Sequence, residues 1–112
     1  MSHSVKVIKV CGILGHAQAK QFRQEILDVI ATGTIEVLVD FEQTAFVDSS
    51  GLGALISALK AVKAAQGKLS LCSVQQEIKM LLELADVIQF FPIFSDQADF
   101  YQQAKAAQST GA

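Results

Sequence analysis

Ile35-Glu36-Val37-Leu38-Val39-Asp40-Phe41 is nearly continuous in apolar, mostly β-branched residues. That is the pattern of a strand covered on both faces, which places it centrally in a sheet with helices packed around it. A short polar loop, Glu42-Gln43-Thr44, follows, and Phe46 and Val47 lead into Asp48-Ser49-Ser50-Gly51-Leu52-Gly53. Beyond it, Leu52, Leu55, Ile56, Leu59 and Val62 recur at the i, i+3, i+4, i+7 spacing of a half-buried helix running to about Gln66. Gly67 stands where a helix C′ residue would be. The two serines therefore stand where a helix begins, at the carboxyl end of a central strand.

The flanking sequence repeats this alternation of strand and helix. Val5 to Val10 reads as a strand ending at Gly12, and Gly12-Ile13-Leu14-Gly15-His16 reads as a connecting turn. From Ala17 to Ala31, Ala19, Phe22, Ile26, Val29 and Ile30 share one face opposite Lys20, Arg23, Glu25 and Asp28, which predicts an amphipathic helix. Lys68 to Val74 predicts a third strand, Gln75 to Ala85 a third helix, and Val87 to Phe91 a short fourth strand before the single proline, Pro92. Ser95 or Asp96 can cap a last helix through Phe100, Tyr101 and Ala104, and the small, polar tail from Ala106 to Ala112 is expected to fray. Right-handed βαβ crossovers then give one α/β domain over residues 1–112, with an ordered core of about 5–105. A mostly parallel four-stranded sheet packed with about four helices is the expected architecture.

Composition narrows the function classes. Nine Lys plus Arg against eleven Asp plus Glu give no basic stripe with interleaved aromatics, so nucleic-acid binding is not expected. The apolar stretch from Gly51 to Leu59 falls far below the roughly 18 residues of a membrane span. Met1-Ser2-His3-Ser4 does not begin a signal peptide, so a cytoplasmic location is expected. Cys11 and Cys72, the only cysteines, lie in strand-like context and read as buried, reduced thiols.

The serine segment has a chemistry of its own. The first N–H groups of a helix lack internal partners and the macrodipole adds about half a positive charge, so a hydroxyl there is a favourable place for an added phosphate. Ser49 or Ser50 as catalytic nucleophile would need a nearby base, and the only histidines are His3 and His16. Val47 and Asp48 stand where a nucleophile elbow requires glycine, and Gly51-Leu52-Gly53 lacks the third glycine of a dinucleotide fingerprint because that place is Ile56. Asp40 and Asp48 without a His or Cys cluster make a weak metal site, and neither metal nor cofactor is expected. Asp48 reads as a helix cap and Asp40 as a satisfied polar group near the site. On local physics alone, the reading of Ser49 and Ser50 as capping residues, with Gly51 and Gly53 there for close helix–sheet packing, stands ahead of phosphorylation.

Val37-Leu38-Val39-Asp40-Phe41 and Phe46-Val47-Asp48-Ser49-Ser50-Gly51-Leu52-Gly53-Ala54-Leu55, together with Lys68-Leu69-Ser70-Leu71-Cys72, closely resemble STAS domains of the bacterial anti-sigma-factor antagonist type. The resemblance covers nearly the whole chain. It implies that Ser49, directly after the aspartate, is phosphorylated by a partner serine kinase that is also an anti-sigma factor, with reversal by a PP2C-type phosphatase. Ser50 would shape the helix start, with Asp48, Gly51, Gly53 and Asp40 in support. The unmodified domain would dock on its kinase and the modified one would be released. Two departures stand out: Gly15 replaces an aspartate common in the family's first turn, and Met1 to Ser4 is too short for the family's extra N-terminal strand. A bare sheet edge then invites self-association as a homodimer.

The reading that follows is a non-enzymatic regulatory module. Its alternative is a STAS interaction or scaffold subunit of a stress-signalling or lipid-transport complex, with Ser49 structural. A small hydrolase or nucleotide-binding enzyme finds no assembled catalytic group in the sequence.

Overall fold

The computed structural model describes the backbone of residues 4–110 and the side chains of residues 4–106. Its main sheet contains β1 (Val5–Lys9), β3 (Glu36–Asp40), β5 (Lys68–Cys72) and β6 (Ile93–Phe94), all parallel, in the order β1-β3-β5-β6. The apolar run is thus central, with Val37 between Lys6 and Leu69, and Asp40 between Lys9 and Cys72. Four helices complete the fold: α1 (His16–Ala31), α2 (Ser49–Ala64), α3 (Gln76–Leu84) and α4 (Gln97–Thr110).

Alternation along the strands divides the interior in two. Val37, Val39, Leu69 and Leu71 point to one face, where they meet Phe22, Ile26 and Val29 of α1, Leu55, Leu59 and Val62 of α2, and Ile78 and Leu82 of α3. Leu38 and Cys72 point to the other face, against Phe100 of α4, whose ring meets Phe94 edge-on at 5.2 Å. Burial on both faces explains why β3 lacks the apolar–polar alternation of a half-exposed strand.

Three local expectations are corrected. Gly12–Leu14 is a strand, β2, rather than a plain turn, and it pairs in parallel with β4 (Thr44–Val47) as a separate two-stranded ribbon. Both strands are too short for any periodicity to emerge from sequence. Ile88–Phe90 forms a 3-10 turn, not a strand, and the fourth strand of the main sheet comes after Pro92, whose carbonyl accepts from the Leu71 N–H at 2.8 Å. A proline is tolerated there because it lies just before the strand. Helix α4 continues through Thr110 where fraying was expected, and the end of the expected tail, residues 111–112, lies outside the described residues.

The end of α2 differs in mechanism from the expectation. Gln66 is the C′ residue, at φ 63°, and the Gly67 N–H bonds back to the Val62 carbonyl at 2.8 Å. Gly67 is needed for proximity instead: a Cβ there would lie 2.2 Å from the Ile35 carbonyl oxygen. Of the two candidate caps for α4, Asp96 does the work, accepting from the Asp99 N–H at 2.7 Å, while the Asp99 carboxylate reaches back to the Ser95 N–H at 2.9 Å.

Candidate functional site

Ser49 is the first residue of α2 and is exposed. Asp48, in extended conformation, is the N-cap: its Oδ1 accepts from the Gly51 N–H at 2.9 Å and its carbonyl from the Leu52 N–H at 2.9 Å. The N–H groups of Ser49 and Ser50 have no acceptor among the described residues. With the cap already supplied by Asp48, the Ser49 hydroxyl is not needed to hold the helix. It sits at the positive end of a 16-residue helix, on a residue that is itself exposed.

The helix start is fixed against the ribbon at very short range. The Asp48 N–H donates to the Leu14 carbonyl at 3.2 Å, and a Cβ on Gly51 would lie only 1.9 Å from that same oxygen. Glycine at 51 is thus what lets α2 pass over β2. Gly53 differs, because a Cβ there would meet nothing within 4 Å. Its small size leaves the surface open rather than enabling contact. Gly15 closes the arrangement: a Cβ at 15 would come within 2.9 Å of Asp48 Oδ2, so a side chain there would crowd the capping carboxylate.

Two apolar side chains missed at the level of sequence are exposed on the ribbon that leads into the serine segment. Ile13 and Phe46 are cross-strand partners in the ribbon and are 52% and 58% exposed. They stand beside the start of α2 with their apolar surface facing water. The only sequence signal for them was an aromatic three residues before Ser49 with no core periodicity to claim it. Behind the ribbon, buried Thr44 donates its hydroxyl to the Val10 carbonyl at 2.6 Å, and Gln75 Nε2 donates to the Thr44 carbonyl at 2.8 Å.

Of the expected site residues, Asp48, Ser49, Ser50 and Gly51 come together, with Gly53 one helical turn on. Asp40 lies on the α4 face of the sheet. It is 4% exposed and accepts from Gln97 Nε2 of α4 at 2.7 Å and from the Glu42 N–H at 2.9 Å. Burial pushes its carboxyl pKa up, but these donors, with the Cys72 thiol and the charge of Lys9, outweigh burial and hold it below the usual value. Burial and then the Asp40 charge push the Cys72 thiol up to about 11. Cys72 is buried as expected. Cys11 is not: it lies in the crossing from β1 to β2, exposed, with its Sγ 3.2 Å from Gln43 Oε1.

His16 opens α1 and lines the groove between α1 and α2 with Ser50, while His3 lies outside the described residues. Among the described residues there is no group of three or more His, Cys, Asp or Glu able to hold a metal ion, and no helix long and apolar enough to cross a membrane.

Residues 2–100 match the model of the STAS domain family, and the chain belongs to that family. One relative, the anti-sigma F factor antagonist of Paenibacillus polymyxa, is 23% identical over 96 residues, which cover 85% of this chain and 82% of the relative. Among solved structures, the anti-sigma factor antagonist SpoIIAA in its unphosphorylated form aligns with a TM-score of 0.68 at 23% identity, covering 100% of this chain and 94% of that one. The phosphorylated form of the same Bacillus protein aligns with a TM-score of 0.73 at 20% identity, over 92% of this chain and 93% of that one. The murine anion transporter Slc26a9 contains a similar fold, with a TM-score of 0.78 at 21% identity, covering 94% of this chain but 18% of the transporter.

Proposed function

We propose that this protein is a regulatory module of the anti-sigma-factor antagonist type, switched in the cytoplasm by reversible phosphorylation of Ser49. The observation that carries the reading is exposed Ser49 at the start of α2, where Asp48 already supplies the cap. A partner serine kinase, itself an anti-sigma factor, supplies ATP and the catalytic base. The Ser49 oxygen takes the γ-phosphoryl group, its proton passes to the kinase, and ADP leaves. A PP2C-type phosphatase returns the hydroxyl and inorganic phosphate by hydrolysis. This chain contributes the hydroxyl and its placement, not the catalytic groups.

The kinase docks over Ser49 and the neighbouring apolar pair, Ile13 and Phe46. A phosphate adds about −1.5 to −2 charges, which the helix terminus tolerates but which an apolar contact must desolvate, beside the carboxylate of Asp48. Taking binding from mostly bound to mostly free requires roughly 5.5 kcal/mol, which a charge desolvated at an interface can supply and a screened one cannot. The fold itself need not change.

Incubation with the cognate kinase and ATP, followed by mass spectrometry, should place one phosphate on Ser49, and its absence there refutes the switch. The similarity to a domain of an anion transporter favours a second reading, in which the chain is a STAS scaffold subunit and Ser49 is structural. Ser49→Ala and Ser49→Asp separate the two, since a scaffold binds its partner equally well with either.

A further inference from the structure

Helices α1 and α2 leave a groove along their outer side. At its upper end it is lined by His16, Lys20 and Arg23 from α1 and by Ser50, Gly53 and Ser57 from α2. It continues downward past Arg23 to Leu27, Ala58 and Ala61, where Leu27 is 51% exposed. The charge along this groove is one-sided. Helix α2 carries no acidic residue, and the two acids of α1, Glu25 and Asp28, line a different hollow together with Lys6. Lys20 and Arg23 are exposed and make no ion pair among the described residues, although the chain as a whole is net negative at −2. On α2 the lining residues are small, so a second backbone can approach closely, and Gly53 has nothing within 4 Å of where its Cβ would be.

We propose that this groove is a docking site for an amphipathic helical segment of a partner protein, acidic at the end that meets Lys20 and Arg23 and apolar at the end that meets Leu27. Charge complementarity selects the segment. Unpaired cations in a groove whose lining holds no Asp or Glu, the nearest acid being the Asp48 cap beyond its upper end, attract carboxylates and repel basic partners, and the apolar lower half adds burial once the segment is seated. The proposal rests on the reading of this domain as one that docks a protein, and extends that docking beyond Ser49. Ser50 lines the upper end of the groove, so the segment would lie next to the residue that carries the phosphate, and a phosphoserine would compete for the same cations.

The test uses the unmodified full chain and no kinase, so its outcome is separate from that of Ser49 phosphorylation. A synthetic amphipathic helical peptide with a Glu-rich end and a Leu-rich end is titrated into isotope-labelled protein and followed by amide resonances. A counterpart with every Glu replaced by Gln is run in parallel. The Glu peptide should shift resonances around Lys20, Arg23, Ser57 and Leu27. The Gln peptide should bind about tenfold more weakly, as should K20E/R23E, the effect expected from losing two partly exposed ion pairs, and high salt should reduce the difference. Equal binding of both peptides, shifts located away from α1 and α2, or no shifts at all overturns the proposal. If K20E/R23E does not fold, K20Q/R23Q serves in its place with the same criterion.

Discussion

Asp48 and Asp40 each close a strand, yet the two carboxylates lead to opposite kinds of surface. Asp48 lies at the rim, spends one oxygen on the Gly51 N–H, and leaves the adjacent Ser49 exposed. Asp40 is enclosed under α4, takes donors from Gln97 and Glu42, and shares its setting with the buried thiol of Cys72. Beside them on the same face is Ser70, whose buried Oγ has no hydrogen-bond partner among the described residues. A carboxylate that caps a helix in partial contact with water makes a neighbouring hydroxyl available for chemistry. One that is sequestered ties a helix to the sheet and offers nothing to a partner.

Four substitutions or titrations would break or sharpen this contrast. The largest effect is expected from Gly51→Ala, whose new methyl would overlap the Leu14 carbonyl and force α2 away from the ribbon. Urea unfolding should show a loss of about 3 kcal/mol, and a neutral result would mean that the helix start is not pinned to β2.

On the α4 face, Cys72 should make stability fall with alkaline pH. Its folded pKa is raised to about 11 from an ordinary value of 9.0, so the folded state holds the proton more tightly than the unfolded one. The contribution is complete below the ordinary value and is lost as pH rises from 9.0 through about 11. A decline of about 2 kcal/mol across that window is expected in the parent and should be absent from Cys72→Ala, measured against the same baseline. Parallel curves for the two proteins would contradict the burial of the thiol.

Asp48→Ala removes the acceptor for the Gly51 N–H and should cost about 1 kcal/mol, read as a shift in urea midpoint with unchanged slope. Gly53→Ala should be the mildest change, a gain of up to about 1 kcal/mol from helix propensity, because nothing occupies the space its methyl would fill. If Gly53→Ala is destabilising, the groove beside it is not open.

Three of the four main-sheet strands and the helices were legible in the sequence because burial imposes periodicity, whereas the two-residue β6 is too short to show any. The continuous apolar run marks β3, and the faces of α1 and α2 follow the spacing of their buried residues. The ribbon was illegible for the opposite reason. Gly12–Leu14 and Thr44–Val47 are three and four residues long, with Ile13 and Phe46 turned outward, so no repeating pattern could reveal them. Proximity to the serines in sequence grouped Asp40 with Asp48, but strand alternation sends Asp40 to the far face. The two glycines after the serines look equivalent in sequence. Only the position of the Leu14 carbonyl distinguishes Gly51, which has no room, from Gly53, which has space to spare.

The most direct test is calorimetric binding of the cognate kinase to unmodified protein and to protein phosphorylated stoichiometrically on Ser49, with thermal unfolding of both forms alongside. Phosphorylation should weaken binding by about ten-thousandfold, the equivalent of the roughly 5.5 kcal/mol a full switch requires, while the melting temperature moves by no more than about 2 °C. Equal affinity, or weakened binding that comes only with loss of the folded state, would contradict a switch that acts at the surface of an intact domain.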